Sequence, residues 1–161
     1  MAFSNFERMI QLAEDVFATR SDPDQIDVDQ QVILRLQRIH PATVSEYNDG
    51  KGPVVWVLII PTTTEIMNQF LQHKITEREL LVLTPADITY ESLYLCSALV
   101  LEEYRHQGIA KRLAVEAIVQ ICKDHPLKSL FVWPFTKQGD ALAENIARNV
   151  TLPLYKKTDI K

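Results

Sequence analysis

The spacing of apolar residues changes along this chain, and the changes divide it into elements. Near the N-terminus Phe6, Met9, Ile10, Ala13, Val16 and Phe17 recur at steps of three and four, which marks one face of a helix. Ser4 with Glu7 three residues on predicts a capping box at its start. Ser21-Asp22-Pro23-Asp24 breaks that helix. A second helical stripe of Val32, Ile33, Leu36 and Ile39 begins near Asp29 and stops before Pro41.

The period then shortens. Residues 42–48 and 53–60 are rich in β-formers and flank Asp49-Gly50-Lys51-Gly52, so they predict a hairpin. Residues 64–73 predict a short helix, and Thr76 with Glu79 caps another that ends near Thr84. A long apolar strand follows over 91–101, then a helix over 108–123 and a strand over 128–133. A helix over 140–149, preceded by Gly139 as a turn, and a strand over 152–156 complete the chain. Helices, a hairpin, then alternating strands and helices predict one layered α/β (α+β) domain over residues 1–161, with a helical segment up to about residue 40. No linker, repeat or low-complexity stretch divides it.

Composition narrows the possibilities. With 161 residues, 47% of them hydrophobic, the chain can bury one sizeable core. The net charge is −4 and no run of Lys or Arg occurs, so no nucleic-acid partner is expected. The first twenty residues carry acidic groups and match neither a signal nor a transit peptide. The longest apolar stretch, 54–60, is too short to span a bilayer, so a cytoplasmic protein without membrane association is expected. Cys96 and Cys122 lie in apolar periodic segments without metal-ligand spacing, which predicts two buried, reduced thiols. His40, His73, His106 and His125 form no ligand pattern either, so no metal site is expected. Trp56 and Trp133 fall on strands and read as core or pocket wall.

Chemistry concentrates at one corner. Of four glycines, Gly108 alone sits where a strand turns into a helix, in Tyr104-Arg105-His106-Gln107-Gly108-Ile109-Ala110-Lys111. Glycine there permits unusual dihedrals and close approach of a bound group. The first turn of the following helix presents unpaired N–H groups and the positive end of the dipole, a ready anion site. Arg105, His106, Lys111 and Arg112 add positive charge to an otherwise acidic chain. A phosphate or pyrophosphate ligand fits these features, and so does an ordinary strand–turn–helix corner with solvated basic residues. Neither the nucleotide P-loop pattern nor the dinucleotide glycine pattern is present.

The run Arg105-His106-Gln107-Gly108-Ile109-Ala110 resembles the Arg/Gln-x-x-Gly-x-Gly/Ala signature of the GNAT acetyltransferases. It stands in a similar frame: an apolar strand over 93–101, the turn Glu102-Glu103-Tyr104, the signature, then Lys111-Arg112-Leu113. The resemblance covers roughly residues 54–156 and is strongest over 93–118; the first fifty residues resemble no part of the family. It implies a mixed central sheet whose two parallel middle strands splay apart to admit the pantetheine arm of acetyl-CoA. It further implies that the backbone of Leu99, Val100 and Leu101 pairs with the pantetheine amides. The N–H groups of Arg105, His106, Gln107, Gly108, Ile109, Ala110 and Lys111 would then hold the pyrophosphate.

The implied reaction is N-acetyl transfer to a small-molecule or peptide amine, which calls for a base and for a donor to the leaving thiolate. Glu102 and Glu103, just past the strand, are candidate bases, as is Glu91 near its start. The family's pattern Asn-x-x-Ala-x-x-x-Tyr, set with its Ala on Ala143, puts Asp140 at the Asn and Ala147 at the acid's Tyr. That departure leaves Tyr155 as the nearest substitute, and it opens a second reading, a non-catalytic CoA-binding or protein-interaction module. Cys96 as a covalent nucleophile lacks a neighbouring base. Asp22, Asp24, Asp27 and Asp29 would suit a cationic acceptor as well as a solvated helix entry, and 54–60 as an apolar edge would suit a homodimer.

Overall fold

The computed structural model describes residues 3–20, 30–134 and 136–158. The acidic stretch 21–29, with its helix break, lies outside the described residues. In chain order the helices are α1 (Asn5–Arg20), α2 (Gln30–Ile39), α3 (Thr64–Leu71), α4 (Glu77–Leu83), α5 (Ile109–Asp124) and α6 (Lys137–Val150). The strands are β1 (Val44–Asn48), β2 (Pro53–Thr62), β3 (Ser92–Val100), β4 (Ser129–Val132) and β5 (Leu154–Lys156). Short 3-10 turns precede β1 (Pro41–Thr43) and follow β3 (Glu102–Tyr104).

Capping signals place helix starts where the sequence predicted them. Glu7 N–H donates to Ser4 Oγ at 3.1 Å, and Thr76 and Glu79 exchange both bonds of a capping box. Helix α6 departs from expectation by three residues. Thr136 is its N-cap and takes the Gly139 N–H at 2.9 Å, so Gly139 lies within the first turn and not before the helix.

The five strands are hydrogen-bonded in sequence order, antiparallel from β1 to β3 and parallel from β3 to β5. Strand β2 is paired on both sides and almost entirely buried. It is therefore no edge, which corrects the expectation that 54–60 offers one for a dimer. The strand is hydrophobic on both faces because helices cover both.

Cross-strand partners share a face, which sorts those helices. Trp56 pairs with Glu46, bonds its carboxylate at 2.8 Å, and meets Phe6 of α1 edge-on at 6.1 Å. Tyr94 and Phe131 stack on that same face under Phe70 of α3. Tyr47, opposite Val55, faces the other way and lies 5.3 Å beneath the Arg112 guanidinium of α5. Lys156, opposite Val132, also faces this second side, where it binds Asp140 and Glu144 of α6 at 2.8 and 2.6 Å.

Both cysteines are free, as expected, but they are not both buried: Cys96 is half-buried in β3 and Cys122 is exposed on α5. Among the described residues no helix is long and apolar enough to cross a membrane, and no cluster of His, Cys, Asp or Glu could hold a metal ion.

Candidate functional site

The site is built on β3 and on the corner that carries it into α5. The β3–β4 ladder is short: it runs from Ser92–Ser129 to Leu95–Val132 and stops. Beyond it β3 continues to Val100 with β2 alone beside it. The parting coincides with a bulge, for Leu58 faces Ser97 while Ile59 faces Leu95, so Cys96 is the extra residue of β3 there. A bulge bends its strand and raises the local twist, which turns the end of β3 away from β4. On the β4 side, Pro134 has no N–H with which to extend the ladder.

The ladder with β2 fixes which backbone groups face the resulting gap. Leu101 N–H donates to Val54 C=O at 3.0 Å, and Leu101 C=O accepts from Tyr104 N–H at 2.8 Å. Antiparallel pairing alternates hydrogen-bonded and open positions. Leu99 therefore turns its backbone to β2 as Leu101 does, while Ala98 and Val100 turn theirs to the gap. Of the three residues expected to meet pantetheine, only Val100 is so oriented, and Ala98 joins it. Sequence reasoning missed Ala98 because the alternation depends on register. At present the Val100 carbonyl accepts Arg105 Nε at 3.1 Å.

The corner after β3 has the local conformation of an anion cradle. His106 and Gly108 both have left-handed backbones, with φ of 63° and 74°. Gly108 is the N-cap of α5 and supplies no side-chain cap; the first helical bond runs from Arg112 N–H to Gly108 C=O at 3.0 Å. The N–H groups of Gln107, Gly108, Ile109, Ala110 and Lys111 consequently find no acceptor among the described residues. Left-handed backbones at His106 and Gly108 curl the chain into the helix start, and a nest of successive N–H groups at the positive end of a helix suits an anion. A Cβ placed on Gly108 would meet nothing within 4 Å, so the space above the corner is open. Residues 105–108 are exposed, Ile109 is buried and anchors the helix, and Gln107 braces the corner by bonding Glu103 C=O at 3.1 Å.

The two candidate bases differ sharply. Glu103 is held in a two-pronged ion pair by Arg8 of α1, at 2.6 and 2.8 Å. That hydrogen-bonded guanidinium keeps the Glu103 carboxyl below the usual carboxylate range. Through this pair Glu103 anchors α1 to the corner. Glu102 is exposed and borders an open groove of about 670 Å³ between α1 and the end of β3, with Phe6, Ile10 and Arg105 among its walls. Glu91 pairs with Lys128 at 3.0 Å on the surface.

Ala147 is buried in α6. Tyr155 stands on β5 opposite Phe131, 47% exposed, so it is a rim residue on the α3 side of the sheet. Another polar group at the gap went unnoticed in the sequence. Ser97, the first residue past the bulge, has a buried hydroxyl oxygen with no partner among the described residues. Its neighbours arise from the bulge, which the apolar run around it does not reveal.

No protein-family model matches the sequence, and neither does any curated protein. Solved structures do resemble it. Naa20 of Chaetomium thermophilum, determined in complex with a bisubstrate analogue, aligns with a TM-score of 0.52 at 13% identity, covering 91% of this chain and 67% of that one. An aminoglycoside acetyltransferase, meta-AAC0020 from an uncultured soil metagenomic sample, in complex with trehalose, aligns with a TM-score of 0.49 at 15% identity, covering 97% of this chain and 82% of that one. The first match covers too much of this chain to leave out the whole of residues 1–50, so the shared architecture reaches into the N-terminal segment. At such identities a likeness speaks for architecture alone, and the mixed sheet that opens between its parallel middle strands has the GNAT-like, acyl-CoA N-acyltransferase fold.

Proposed function

We propose that this chain is an acetyl-CoA-dependent N-acetyltransferase that passes the acyl group directly to an amine. The observation that carries the reading is the run of unpartnered N–H groups over 107–111, set at the head of an open strand edge. The residues present fit the cofactor: the nest matches a pyrophosphate, the open space over Gly108 admits it, and the orphaned Ser97 hydroxyl gains a partner inside the gap. Acetyl-CoA supplies an activated thioester. His106 to Lys111 bind the phosphates through the backbone, with Arg105 and Lys111 adding charge. Val100 and Ala98 pair with the arm along the strand edge, and Arg105 releases the Val100 carbonyl as they do so.

This direction of binding places the reacting end of the arm near the bulge. Leu101 and Cys96 are five residues apart, about 17 Å at ordinary strand rise. Glu102 therefore stands at the phosphate end, out of hydrogen-bond reach of an acceptor amine. Juxtaposing amine and thioester within one site supplies most of the rate in such a scheme. Free cysteines suit a reducing cytoplasm. The acceptor is an amine, of a small molecule or a peptide.

Calorimetric titration with acetyl-CoA and with CoA tests the reading. Binding in the micromolar range, abolished in an Arg105→Ala, Gly108→Trp double variant, supports the site; no heat and no thermal shift with either ligand would sink it. The buried Ala147 favours a second reading, CoA binding without turnover. Thiol release across an amine panel separates the two, since a binding module releases none.

A further inference from the structure

The strand edge offered to the arm is not vacant along its whole length. Ala98 is exposed, but at Val100 the carbonyl that faces the gap already accepts Arg105 Nε at 3.1 Å. The donor comes from five residues further along the chain. Its backbone is extended, with φ of −69° and ψ of 154°, and its own N–H donates to Glu102 C=O at 3.2 Å. From that fixed base the exposed side chain turns back to β3.

Electrostatics explain the choice. A cation is disfavoured at the positive end of a helix dipole, so beside an empty nest the guanidinium is better placed on a carbonyl. An anion seated on the N–H groups of 107–111 reverses the sign and attracts it. Residues 105 and 108 stand at most about 11 Å apart even in a fully extended chain. One side chain as long as arginine's therefore serves either destination, but not both at once. A charge-assisted, two-pronged bond to phosphate is stronger than a single bond to a neutral carbonyl at the surface.

We propose that Arg105 is a latch that makes the arm site selective for acyl donors carrying a pyrophosphate. The inference rests on the acetyl-CoA reading above and adds to it a basis for donor specificity. In the free chain the guanidinium closes the strand edge at Val100. A pyrophosphate on the nest draws it off, and the freed carbonyl accepts an amide N–H of the arm. A thioester on a bare pantetheine arm brings no phosphate and has to displace the latch unaided. The two halves of the donor consequently bind cooperatively, each raising the affinity for the other by the same factor.

The test offers the halves separately to the full chain, pantetheine for the arm and inorganic pyrophosphate for the nest. Binding is followed by amide chemical shifts, a readout that reaches millimolar affinities. Pantetheine carries no charge, so attraction between the two ligands cannot imitate the coupling. Saturating pyrophosphate is expected to tighten pantetheine binding to the wild type about fivefold. Arg105→Ala should bind pantetheine about fivefold more tightly than the wild type does without pyrophosphate. It should also bind pyrophosphate more weakly and show no coupling. A wild type that binds CoA, yet whose affinity for pantetheine ignores pyrophosphate, overturns the latch even if the variant does not fold. So does a folded Arg105→Ala that binds pantetheine no more tightly than the wild type, undetectable binding to both included. A wild type that binds neither CoA nor pyrophosphate overturns the acetyl-CoA reading itself, and this inference with it.

Discussion

Glu103 and Asp49 fasten α1 and the hairpin to the corner that follows β3, and both are held below the ordinary carboxylate range. The Arg8 hydrogen bonds lower Glu103; the Tyr104 hydroxyl, donating at 2.5 Å, lowers Asp49, with the Lys51 N–H adding to it. A carboxyl whose folded pKa lies below its unfolded one resists protonation in the native state. Its contribution is complete above the unfolded value and is lost as pH falls through the folded one. Glu103→Gln should therefore lower the melting temperature at neutral pH, with the gap to wild type closing as the solution is acidified; a gap that stays constant would contradict this. Gly108 makes a different prediction. Its φ of 74° is left-handed and nothing stands within 4 Å of a new Cβ. Gly108→Ala should thus cost about 1 kcal/mol from backbone conformation alone, read from the urea midpoint. The glycine was visible in the sequence as a residue of that corner. Its companion, the left-handed His106, was not, because nothing in the residue type demands that conformation.

At the scale of elements, caps and periodicity carried most of the information. Ser4–Glu7 and Thr76–Glu79 mark α1 and α4 because a side-chain acceptor three residues before a free N–H acts locally. The sequence alone places helix α6 late because Gly139 reads as a turn, while the capping oxygen belongs to Thr136. Thr136→Ala should cost about 1 kcal/mol in chemical denaturation, and a near-zero cost would mean the first turn is held by something else. The position of a strand within the sheet is less legible. Strand β2 is apolar at nearly every position, as a central strand and a sticky edge both are, and only its pairing with β1 and β3 separates the two. The burial of Lys157, which follows β5 and is 9% exposed, is hidden for the same reason. In sequence the lysine ends the polar run Tyr155-Lys156-Lys157; its burial comes from register with β4, a contact across more than twenty residues of chain.

For the molecule as a whole, the parting of β3 from β4 matters more than any single side chain, and the bulge at Cys96 is what permits it. On either side of that residue the strand keeps the same alternation against β2: Leu95 opposes Ile59, and Ser97, Ala98 and Leu99 oppose Leu58, Val57 and Trp56. Cys96 is supernumerary. Deleting it would leave every other pair with β2 in place and every neighbouring side chain on its present side. The chain lacking Cys96 should consequently fold with cooperative unfolding, yet lose affinity for CoA, because a straightened β3 lies flush along β4. Parallel thermal melts and calorimetry of the deletion variant would check this, and retained CoA binding would mean the aperture has another cause. In this sheet one extra residue is the hinge pin of the doorway: the wall stands without it, but the door no longer opens.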